Sequence, residues 1–171
     1  MLLEQIYYFS QIAAAIGVIG SLVFVGIQVR GNARSVRSAT TQAVHENFAS
    51  LYFQLAQNPD TLRVFEKGCL QPESLTTAEK SIFTCHVMAL FAFYQNAFDQ
   101  WRVGHLRQSL WLGWEALLEN ALHMPGIQKV WRDRAFAYDP EFRARIADLA
   151  QRKARPDLTV FGVKPDPLPP G

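Results

Sequence analysis

The sequence predicts an all-α protein in which an N-terminal transmembrane helix is joined to a cytoplasmic helical bundle. Three observations predict it. Charge is missing from two windows, since no Asp, Glu, Lys or Arg lies between Glu4 and Arg30, or between Lys80 and Asp99. Apolar residues recur at spacings of three and four through most of the remaining chain. No alternation of period two runs long enough to build a sheet, and no internal repeat is present.

Composition sets the outer limits. The chain has 171 residues, of which 49% are hydrophobic and 19% charged, with a formal net charge of +2. An ordinary soluble domain carries ~25% charged residues. The chain outside the two windows reaches that value, so the windows hold the whole deficit. The apolar content excludes a disordered chain. Two cysteines exclude a disulfide scaffold. The near-neutral charge gives no reason to expect nucleic acid as a partner.

The first window supplies the membrane helix, residues 6–29. Its core from Ile12 to Ile27 has Ser21 as the one polar side chain. As a helix the window would extend roughly 36 Å, enough to cross a ~30 Å hydrocarbon layer with some tilt. Tyr7, Tyr8 and Phe9 suit the headgroup zone at one end, and Gln28, Arg30 and Asn32 mark the other. A buried core helix is the weaker reading, because a helix apolar on every face needs cover on every side. A cleaved signal peptide fits poorly too. No basic segment precedes the apolar run, and no small-x-small site follows it. Ala13, Gly17 and Ser21 fall four apart on one face, a spacing that lets two membrane helices approach closely, so they are candidates for self-association into a homo-oligomer.

Arg30, Arg34 and Arg37 flank the window, and no acid follows until Glu46. Basic flanks stay cytoplasmic. The expectation is a single-pass protein of the inner membrane, with its N-terminus outside and its body in the cytoplasm. The same arginines either set topology alone or also attract anionic lipid headgroups.

Residues 30–57 read as a juxtamembrane amphipathic helix belonging to the bundle. Val36, Thr40, Val44, Phe48, Leu51, Tyr52 and Leu55 are expected inward, with a bend at Gly31-Asn32 left open. Residues 58–152 form the rest of the bundle. Asn58-Pro59 starts a short helix, an N-cap followed by proline at the first position, with Leu62 and Phe65 inward and Gly68 as its close. Residues 71–74 read as a turn.

Thr76 with Glu79 three residues later makes a capping box for the central helix. That start, together with Thr84, His86, Gln95 and Asn96, marks the second uncharged window as a core helix rather than a second membrane span. Phe83, Val87, Leu90, Tyr94, Ala97 and Trp101 are its seam, and Gly104 its stop. A helix over about 107–123 places Leu110, Trp111, Trp114, Leu117, Leu118 and Ala121 on one stripe. Pro125-Gly126 breaks the chain before a shorter helix carrying Ile127, Val130 and Trp131. Asp139-Pro140-Glu141 starts the last helix, with Phe142, Ile146 and Leu149 inward. Residues 153–171 read as a mobile proline-rich tail, in which Leu158 to Phe161 is the one strand-like run.

No catalytic or metal-binding motif stands in the sequence. His45, His86, His105 and His123 show no metal-ligand spacing, and His86 reads as a hydrogen-bonded core histidine. Cys69 and Cys85 are far apart, and Cys85 reads as a small buried hydrophobe. No nucleophile elbow or phosphate-cradling glycine loop occurs. No pair of acids is recognised on a helix face within an apolar stretch. Asp99 either anchors a pocket or pairs with Arg102 at the wet end of its helix. Tyr94, Asp99, Trp101, Trp111 and Trp114 form the candidate pocket; the favoured reading is that these aromatic residues, with Trp131, Phe91, Phe98 and Phe136, are a packed core. No cofactor or metal is expected.

The stretch Gly26-Ile-Gln-Val-Arg-Gly-Asn-Ala-Arg-Ser-Val-Arg-Ser-Ala39 resembles a widespread set of bacterial single-span membrane proteins. In these an apolar N-terminal helix precedes a Gln-(Ile/Val)-Arg-x-Asn-x-Arg segment. The segments 56–60 (Ala-Gln-Asn-Pro-Asp), 72–79 (Pro-Glu-Ser-Leu-Thr-Thr-Ala-Glu) and 139–142 (Asp-Pro-Glu-Phe) are similar too, so the likeness covers about 12–149. Gly31 departs from it, standing where a polar Gln is common. The resemblance implies a bacterial inner-membrane setting and this architecture; it implies no activity and no catalytic residues. The expected function is a membrane-anchored, non-enzymatic interaction module that meets a protein partner. The alternative is a bundle that senses a small molecule through its aromatic residues.

Overall fold

The computed structural model describes residues 2–154; within the first helix it leaves out the side chains of residues 2–4, 6, 9 and 12–14. The expected mobile tail and its strand-like run lie outside the described residues, apart from residues 153 and 154. The described chain is all helical and contains no strand. It divides into two compact units, residues 1–39 and residues from Thr40 onward. Helix α1, Leu2–Ala56, begins in the first unit and ends in the second. Its helical hydrogen bonding runs through Gly31-Asn32 without a break.

In the first unit every described side chain up to Ala39 is exposed. The large apolar residues from Ile16 to Val29 keep between 51% and 66% of their surface, with no covered face. Val36, expected inward, is exposed as well. It belongs to the first unit, whose described side chains are all exposed.

In the second unit α1 becomes one-sided. Val44 and Leu55 are buried, while Phe48 and Leu51 pack against the core. Helix α2, Pro59–Leu70, starts at the Asn58 cap, whose side chain accepts from the Asp60 and Thr61 amides. A 3-10 turn at Pro72–Ser74 leads to α3, Thr77–Arg102. The capping box is formed: Thr76 Oγ1 accepts from the Glu79 amide, and the Glu79 carboxylate accepts from the Thr76 amide at 2.7 Å. The Thr76 amide first, and the Thr76 side chain second, hold the Glu79 carboxyl below its ordinary range.

Helix α3 is the core helix the capping box predicts. Phe83, Val87, Leu90, Tyr94 and Ala97 are buried, with Phe91, Phe93 and Phe98 beside them. It ends in a Schellman motif. Gly104 adopts φ 76°, its amide donates to the Trp101 carbonyl, and the His105 amide donates to the Gln100 carbonyl. Helices α4, Gln108–Ala121, α5, Pro125–Arg134, and α6, Pro140–Leu149, complete the bundle, with a 3-10 turn at Ala135–Ala137. Asp139 caps α6 through the Glu141 amide, and its own amide donates to Gln95 of α3.

Gly68 does not close α2, which continues to Leu70. It lies instead where α2 crosses α5. A methyl group on Gly126 would land on the Gly68 carbonyl oxygen, and one on Gly68 would land in the Phe83 ring. Three helices therefore meet where two residues have no side chain. Substitution there forces backbone apart rather than a flexible side-chain end. Gly126→Ala should cost about 1–3 kcal/mol in chemical denaturation of the full chain. Gly113→Ala, in open space on the exposed face of α4, should instead gain about 0.5–1 kcal/mol.

Candidate functional site

The aromatic residues fill one another's space. Trp101 and Trp111 stack with centroids 5.7 Å apart and planes 15° apart. Phe98 lies against both and against Phe142. On the other side of α3, Phe93 meets Phe48 and Trp114, and His45 stands edge-on to Trp114. Of the candidate pocket, Tyr94, Trp111 and Trp114 are buried, Trp101 is half-buried, and Asp99 sits at the margin. Burial pushes the Tyr94 hydroxyl up, with Tyr52 adding to the effect. Burial also raises the Asp99 carboxyl, and Asp139 raises it further while Arg102 opposes. The Arg102 guanidinium pairs with Glu141, not with Asp99, and lies over the Phe98 ring. Phe136 is no part of the cluster; it is 75% exposed. The Trp111 indole nitrogen is buried without a hydrogen-bond partner.

Grooves open elsewhere. One of about 340 Å³ runs between α1 and α3, lined by Asn47, Ser50, Leu51, Ala89, Phe93 and Asn96. Its amides and small side chains offer no nucleophile–base pair. Among the described residues no three His, Cys, Asp or Glu side chains converge to hold a metal ion. His86 is half-buried, its Nδ1 within 2.9 Å of the Ile82 carbonyl.

Cys85, expected as a small buried hydrophobe, is not buried but exposed, and Cys69 is fully buried. Burial, with Glu66 adding to it, pushes the Cys69 thiol up to about 12. Only a thiolate reacts with disulfide reagents. One thiol, Cys85, should therefore titrate in the native protein at pH 8, and both after denaturation.

The strongest polar arrangement escaped sequence reading. Glu115 and Glu119 of α4 are only 4% and 5% exposed. Arg145 of α6 donates from Nε to Glu115 at 2.7 Å, and its terminal nitrogen comes within 2.6 Å of the same carboxylate. Arg152, just past α6, reaches Glu119 at 3.3 Å and Asp148 at 2.8 Å. These contacts, Asp148 foremost, raise the Arg152 guanidinium further. The signal was present as an i, i+4 pair of acids on the stripe that carries Trp111 and Leu118. It became legible only with the arginines thirty residues on. Two cations facing two acids make a seat for α6, with no open position for a substrate. Arg145→Met should destabilise the bundle by about 2–3 kcal/mol. That is less than the ~3–5 of a fully buried pair, because Arg145 keeps some access to water. The double variant with Glu115→Gln should recover part of the loss.

Taken together, fold and site define a class: an all-α chain with one helix near its N-terminus long and apolar enough to cross a membrane, followed by a helical bundle. No family model, no curated protein and no solved structure matches the chain.

Proposed function

We propose that the protein is a membrane-anchored helical interaction module without catalysis of its own. Residues 6–29 would cross the bacterial inner membrane once, with the N-terminus outside and the bundle on the cytoplasmic side, where it meets a protein partner. The observation that carries this reading is the run of exposed apolar side chains from Ile16 to Val29 on every face of α1. In water, that surface would oppose folding at ~25 cal/mol per Å². In a bilayer it needs no cover, and the helix already pairs its own backbone groups.

Orientation follows from Arg30, Arg34 and Arg37 on one flank against Glu4 on the other. The resemblance of residues 26–39 to bacterial single-span proteins supports the choice of membrane. Within the bilayer, the face carrying Gly17 and Ser21 is the place for two spans to meet. Gly17 has open space beside it, and the Ser21 hydroxyl is satisfied by the Val18 carbonyl. The Ala13 side chain lies outside the described residues.

Cys85, being exposed, reports the side on which the bundle lies. A membrane-impermeant maleimide should label it in opened membranes and not in intact spheroplasts. Labelling in intact spheroplasts, or an active alkaline phosphatase fused at the C-terminus, would overturn the topology. Crosslinking in cells that captures no protein at the bundle would count against an interaction role.

A further inference from the structure

We infer that Arg30, Arg34 and Arg37 form a binding stripe for the phosphates of anionic phospholipids; this rests on the membrane reading above. The three occupy positions i, i+4 and i+7, which share a face only if the helix is regular across Gly31 and Asn32. Helix α1 is unbroken there, so the three guanidinium stems leave one face within roughly 10 Å of helix length.

All three side chains are exposed. No acid stands in the sequence between Glu4 and Glu46, so the stripe is a net cationic surface. Gly31, one turn before Arg34 and Ser35, has open space where a side chain would stand, leaving room for a headgroup beside Arg34. The Ser35 hydroxyl is already engaged with the Gly31 carbonyl, so the guanidiniums supply the donors.

The position selects the occupant. Arg30 directly follows the last apolar residue of the run, Val29, and its methylene stem can lie along that surface with its head at the phosphate level. A planar guanidinium donates two parallel hydrogen bonds to a phosphodiester, a geometry that lysine lacks. Topology alone would be served by any basic residues in any register. A lipid site depends on guanidiniums that share a face.

The test uses the full chain reconstituted into phosphatidylcholine vesicles containing about one-fifth phosphatidylglycerol. Spin-labelled phosphatidylglycerol and phosphatidylcholine report which lipid the protein holds. The wild type should prefer phosphatidylglycerol by ~3-fold or more. The preference should shrink in about 0.5 M salt, where charges are screened within a few Å. The triple variant R30Q/R34Q/R37Q should lose it while keeping its helical content and its flotation with vesicles. The triple Arg→Lys variant should retain only part of it.

A wild type that floats with vesicles and resists carbonate extraction, yet shows no preference, overturns this inference and leaves the membrane reading standing. A chain that does not float overturns both. Suppression of the preference by inorganic phosphate beyond that of chloride at equal ionic strength would assign the stripe to free phosphate and overturn the lipid assignment.

Discussion

Helix α1 satisfies its backbone N–H and C=O groups internally along its length, and the rest of the architecture depends on that. A segment that needs no water for its backbone can change surroundings without changing conformation. What changes along α1 is therefore the side chains alone. From Ile16 to Val29 apolar side chains stand exposed on every face; from Thr40 only one face is covered, by Val44, Phe48, Leu51 and Leu55. Between these stretches lie ten residues without a buried side chain, and they hold the three arginines. The helix is continuous, but its side chains change character, and the charged stretch lies between the apolar run and the one-sided part.

The bundle solves a different problem, that of packing a large aromatic load around one helix. Helix α3 carries eight buried residues and presents rings to both sides. Rings as large as Trp111 and Phe142 fix the distances at which neighbouring helices can sit. Where α2 and α5 must come closer than any side chain allows, Gly68 and Gly126 remove the obstacle. Bulk along α3 and its absence at the α2–α5 crossing are two parts of a single volume constraint, because interiors tolerate neither voids nor overlap.

Local chemistry was legible in the sequence, and long-range pairing was not. Asn58-Pro59, Thr76 with Glu79, and Asp139-Pro140 each specify a helix start through atoms within three residues, and each cap forms as read. The α3 seam follows from spacing alone. Gly68 shows the limit: a glycine near a helix end suggests a stop, but its need is set by the Phe83 ring of α3. Cys85 lies exposed because a cysteine in an apolar run can sit on either face of its helix. Glu115 and Glu119 look like scattered acids until Arg145 and Arg152 are brought to them. Val36 obeys the spacing of its neighbours yet lies exposed, since periodicity tells which face a residue occupies and not where the covering partner begins.

The placement of carboxylates separates the arginines into two kinds. Arg145 and Arg152 face acids already withdrawn from water, so their charge is spent inside the bundle on seating α6. Such a pair adds little net stability against an apolar replacement, but it penalises any seating of α6 that leaves Glu115 unpaired. It therefore acts on the choice of arrangement more than on its depth. Arg30 and Arg34 stand in a stretch of sequence without acids, so no neighbouring carboxylate competes for them. A guanidinium without an internal counter-charge keeps its affinity for an external one, and with α1 in a bilayer as proposed those anions would be lipid phosphates. The low overall charge of the chain thus conceals a division of labour. Charge is absent where hydrocarbon is expected, neutralised where helices must be held in place, and, at Arg30 and Arg34, set in a stretch of sequence without acids.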